Sequence, residues 1–88
     1  MKFKDGVILT RNGEENILVT SGEAGDAFSG MIKMNGTAGF LAGLLQQETD
    51  EDRLTAALCE HYDVSEAEAR ENVKRMVAQL ESVGLLEQ

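Results

Sequence analysis

Apolar positions in this 88-residue chain change period partway along, and the change predicts a sheet followed by helices. Val7–Thr10 and Ile17–Thr20 are short β-branched runs with Asn12-Gly13 between them. Asn-Gly tolerates positive φ at both central positions of a tight turn, so it predicts a hairpin, with Arg11 and Glu14 placed to pair across it. Ser21–Asp26 carries two glycines and reads as a second turn. A third strand is expected over Phe28–Lys33. Alternation puts Phe28, Gly30, Ile32 and Met34 on one face and Ser29, Met31 and Lys33 on the other. The simplest arrangement is an antiparallel meander.

After Asn35, which is expected to end the sheet and cap the next element, the period becomes helical. Thr37–Gln46 presents Phe40, Leu41, Leu44 and Leu45 on one face, although Gly39 and Gly43 weaken it as an isolated helix. Thr49 and Asp52 have capping-box spacing at the start of a second helix, Asp50–Tyr62, with Leu54, Ala57 and Leu58 inward. The third and longest helix is expected over Ser65–Val83. Ser65 and Glu68 form its capping box; Ala69, Val73, Met76, Leu80 and Val83 make its stripe. Gly84 stands where a left-handed C′ residue ends a helix, and Leu85-Leu86 can fold back on the last turn. Strands followed by helices give an α+β class. The expected core is Leu18, Ile32, Phe40, Leu44, Leu54, Leu58, Val73, Met76 and Leu80.

Composition narrows the class. A chain of this length with 42% hydrophobic and 27% charged residues reads as one domain spanning 1–88. No apolar run approaches the roughly 20 residues that span a bilayer, and the N-terminal apolar run is too short for a signal peptide. With a single cysteine, Cys59, a cytoplasmic setting is expected. Net charge is −8, and from Gly36 onward eleven acidic residues face four basic ones. Phosphate backbones would be repelled over most of that surface, which argues against nucleic acid.

The chemistry of an enzyme is missing from the pattern. Cys59 and His61 lie two apart on a helix and so point to different faces. They are also too few for a structural zinc site. Glu48–Asp52 lacks the ligand spacing of a calcium loop, and no glycine run matches a phosphate-binding fingerprint. The expectation is a binding module, without catalytic residues, metal or cofactor.

The order of elements and several local motifs resemble one family, that of pyrroloquinoline quinone biosynthesis protein D (PqqD). The resemblance covers nearly the whole chain. It rests on a strand ending in Met34-Asn35, Thr37-Ala38 opening a helix that ends Leu44-Leu45, and an acidic helix from Thr49 leading to Tyr62-Asp63-Val64. The long helix adds Asn72-Val73, Met76-Val77 and Leu80 before Gly84-Leu85-Leu86. The chain departs from the family pattern in having Phe40-Leu41 where a bulky aromatic is common, and Asn72 where an acidic residue is common.

The resemblance implies a winged-helix-like fold, a three-stranded antiparallel sheet followed by three helices. It also implies a job: binding the leader segment of a ribosomally made precursor peptide by strand addition and presenting it to a modifying enzyme, commonly a radical S-adenosylmethionine enzyme. On this reading Ser29, Gly30, Met31, Ile32 and Lys33 offer the strand edge. The wall is expected from one flank of the long helix, Arg70, Lys74, Val77 and Glu81, chosen over Asn72, Arg75 and Gln79 because it carries the apolar Val77. Pockets near Met31, Val77 and Leu80 would then set specificity, with Arg70 and Lys74 holding acidic leader residues. A winged-helix DNA-binding domain and a homodimeric structural module are the rival readings. The open strand edge allows either a monomer or a weak homodimer.

Overall fold

A computed structural model of the chain describes residues 1–13, 15–22, 30–34 and 36–87. The elements in order are β1 (Lys2–Phe3), β2 (Val7–Asn12), β3 (Glu15–Thr20), β4 (Met31–Met34), α1 (Gly36–Leu44), α2 (Glu51–His61), α3 (Glu66–Ser82) and β5 (Leu86–Glu87). Strands β2, β3 and β4 form an antiparallel sheet with β3 in the centre. This is the expected meander, and with the three helices among the described residues it makes the α+β fold.

The turns differ in detail. Asn12 pairs with Glu15, so Gly13, at φ 67°, is the first central residue of the hairpin turn. Asn-Gly therefore enters the turn one residue earlier than its usual placement. Arg11 donates from Nε to the Gly13 carbonyl at 3.2 Å. Its expected partner Glu14, the body of the second turn, Phe28 and Ser29, and the capping residue Asn35 lie outside the described residues.

Register sorts the faces of the sheet. Leu9, Leu18 and Ile32 form one cross-strand row, and Leu18 is buried beneath the helices. The adjacent row, Ile8, Val19 and Met31, points to the opposite face. Met31 is 69% exposed there, while Ile32 and Met34 turn toward the core.

The helices start where the side chains dictate. Ser65 accepts from the Glu68 amide at 3.2 Å, as its spacing predicts. The second helix is capped one residue later than expected: Asp50, not Thr49, accepts from the Arg53 amide at 2.8 Å. Its carboxylate is also the better partner for the positive end of the helix dipole. At the far end of α3, Gly84 takes φ 73°. Its amide donates to Glu81, and the Leu85 amide to Leu80, both at 3.0 Å, which is a Schellman closure.

That closure aims the chain into a small ribbon that the sequence pattern did not reveal. Lys2 pairs with Glu87 and Phe3 with Leu86. The Phe3 amide also reaches the Leu45 carbonyl at 2.8 Å, and the Lys4 amide reaches Leu85 at 2.9 Å. Phe3, Leu85 and Leu86 thereby join Leu18, Leu54, Leu58, Val73, Met76 and Leu80 in one core. One expected core residue, Leu44, lies outside it, and Phe40, like Ile32, packs against it at the margin. Leu44 is exposed, because Leu41 and Ala42 of α1 and Leu45 just after it turn inward instead. Phe40 is half-buried and stacks on His61, with ring centroids 4.4 Å apart. Tyr62 closes this aromatic group edge-on.

Candidate functional site: a groove beside the edge of β4

β4 pairs with β3 on one side only; among the described residues no strand lies on the other. Backbone groups of alternate β4 residues therefore point outward, a template for another strand. Facing this edge across a gap is α3. The gap is a groove of about 560 Å³, within the range of ordinary ligand sites.

Three elements build its apolar floor: Ile32 and Met34 from β4, Ala38 and Leu41 from α1, and Met76 and Leu80 from α3, with Val83 at its C-cap. Its rim is polar. Thr37 stands at the start of α1, and Asn72, Arg75, Gln79 and Ser82 line the edge of α3. Lys33 completes the strand side. Such a groove offers backbone pairing along one wall, apolar pockets below and polar contacts along the other wall.

The sequence-predicted site residues divide. Met31, Ile32 and Lys33 stand on the strand as expected; Gly30 precedes it as a bend with φ 149°. Ser29 lies outside the described residues. Leu80 is buried at 2% exposure and reaches the groove floor. The four flank residues are elsewhere. Arg70 turns toward α2, donating from Nη1 to Asp52 at 2.9 Å and from Nη2 to Glu66 at 3.4 Å. Asp52 first, then Glu66, hold its guanidinium above the ordinary arginine value. Val77 is a core residue, 5% exposed. Lys74 and Glu81 are exposed outside the groove.

The helix flank that looks into the gap is thus Asn72, Arg75 and Gln79, the alternative to the one expected. The physical reason is the placement of α2. Burial of both Met76 and Val77 centres the α3 stripe, and α2 takes up the side that carries Arg70. A helical wheel supplies two flanks and no means to choose between them. The acidic first turn of α2, with Asp52 free to attract Arg70, was the one available signal.

Other chemistry stays sparse. Among the described residues no group of three or more His, Cys, Asp or Glu side chains is placed to hold a metal ion. Cys59 is half-buried and lines a second depression with Arg70, while His61 is committed to the aromatic stack. No described helix is long and apolar enough to cross a membrane.

Comparison with solved structures finds the same fold in a chain described as "TbiB1 in Complex with the TbiA(beta) Leader Peptide", with a TM-score of 0.80. The two share 18% identity, and the match covers 99% of this chain and 95% of that one. A search of curated proteins finds no match. The family profile described as "Coenzyme PQQ synthesis protein D (PqqD)" matches residues 7–86. That span runs from the first residue of β2 into β5 and includes every element of the groove, so the chain belongs to the PqqD family.

Proposed function

We propose that this protein binds the leader segment of a ribosomally made precursor peptide, taking it up as an added strand on β4 with its side chains against α3. The observation that carries the reading is the β4 edge, without a strand partner among the described residues, lying directly beside an apolar-floored groove. Strand addition uses these two features: backbone hydrogen bonds give affinity, and pockets for alternate side chains give selectivity. Membership of the PqqD family supports it. So does the shared fold of TbiB1, which was solved with a leader peptide.

The bound peptide is presented to a modifying enzyme, of the radical S-adenosylmethionine class on the family resemblance. The chemistry belongs to that partner; this chain works as a non-catalytic carrier in the cytoplasm. The same edge can accept a second copy of the chain, so the free protein is either a monomer or a weak homodimer with which the peptide competes. Binding to DNA is the weaker reading, since α3 sets Arg70, Lys74 and Arg75 among Glu66, Glu68, Glu71 and Glu81.

The test is an amide-shift titration with a synthetic leader peptide, chosen from short reading frames sought beside the gene for this chain. The largest shifts are expected on residues 31–34 and 72–83, with a Kd of about 1 μM or tighter, on the order of −8 kcal/mol. Shifts gathered instead on Ile8 and Val19, on the opposite face of the sheet, would place the site elsewhere.

A further inference from the structure

Resting on the reading of the groove as a peptide site, we infer that it selects an acidic guest: a segment whose apolar anchor is flanked by carboxylate side chains that pair with Lys33 and Arg75. The chain as a whole carries a net charge of −8. Yet the charged residues lining the groove are Lys33 and Arg75, and no acidic residue is among them. Both charges that line the groove are thus basic, and they flank the β4 edge, which has no strand partner among the described residues.

Geometry assigns each cation a separate task. Side chains of an extended guest alternate between faces. Those directed at the groove meet the floor at Met76 and Leu80, and at its rim Arg75. Those directed away lie on the Lys33 face, where a cross-strand neighbour on the guest comes within about 5 Å of it. A guest with an acidic residue on each face, on either side of an apolar anchor, satisfies both.

Arg75 is held but not used up. Its Nη2 meets Glu71 Oε1 at 2.9 Å, with both side chains more than half exposed. A pair of this kind contributes little, and a guanidinium has five donors in a planar fork. A guest carboxylate can therefore take the fork bidentately, in better geometry than Glu71 provides. The acidic body opposes such a guest at long range. That field is screened over about 8 Å at physiological salt, whereas the pairs with Lys33 and Arg75 are in contact. Contact decides the preference. A lysine in the guest meets like charge on both walls.

The experiment selects binders to the full chain from a random displayed 12-residue peptide library, then maps three enriched peptides by amide shifts. Peptides that shift residues 31–34 and 72–83 should carry Asp or Glu in clear excess over Lys and Arg. Replacing those acids by Lys should weaken binding at least tenfold. The Lys33→Glu/Arg75→Glu variant should reverse the preference; both sites are exposed, and an unchanged circular dichroism spectrum checks the fold. Groove-binding peptides without acidic excess, or an acid-to-Lys change below twofold, would overturn the charge preference and leave strand addition standing. Enriched peptides that all shift residues outside the groove would overturn both.

Discussion

Asn16 of β3 packs its side chain directly onto Gly39 of α1. A Cβ placed on Gly39 would lie 2.6 Å from Asn16 Cγ and 2.9 Å from Asn16 Cβ. The glycine that weakens α1 as a helix is the point where α1 meets the central strand. Gly39→Ala gains about 1 kcal/mol of helix propensity but forces the sheet and helix apart, a cost of about 1–3 kcal/mol. Net destabilisation is expected from urea unfolding. Asn16→Ala should relieve it in part, since the Asn16 Cβ remains close, and a double-mutant cycle should show coupling of at least 0.5 kcal/mol.

Val77 and Arg75 give opposite outcomes. Val77→Asp puts a carboxylate in a site that is 5% exposed, with no partner arranged for it. The expected loss is roughly 3–5 kcal/mol, seen as a collapse of the thermal transition. Arg75→Glu is on the surface and should leave the melting curve within a few degrees of the parent while weakening an acidic peptide.

Arg70→Glu separates the two flanks of α3. It removes the ion pairs with Asp52 and Glu66, all on the α2 side. Ion pairs at the surface contribute little, so the stability change should be small. Peptide affinity by fluorescence anisotropy is expected to stay within twofold of the parent. A tenfold loss would move the peptide to the Arg70 side.

Leu80→Ala should cost about 2–5 kcal/mol, as its side chain is 2% exposed. Because Leu80 also reaches the groove, peptide binding should fall even at temperatures where the variant is fully folded.

Gly84→Ala tests the closure of α3. A residue with a Cβ at φ 73° costs about 1–2 kcal/mol. The loss should localise: hydrogen exchange at the Lys4 amide, which bonds to Leu85, should accelerate more than exchange at the Leu54 amide in α2.

Much of this protein was already determined by its sequence, wherever the cause is local. The Ser65 cap, the Gly84 stop, the three-strand meander and the inward alternation of Leu18 and Ile32 follow from hydrogen bonds and periods within a few residues. Resemblance at the level of motif order pointed to the PqqD family, and the family profile agrees over residues 7–86. Tertiary structure decided what periods cannot express. The ribbon of Phe3 with Leu86 joins the two ends of the chain and has no local signal. Leu45 rather than Leu44 is buried, because contact with α2 and with Phe3 sets the roll of α1. The side of α3 that faces β4 depends in the same way on where α2 lies. A helix has two flanks beside its stripe, and only the packing of its neighbours assigns Arg70 to Asp52 and Arg75 to the groove.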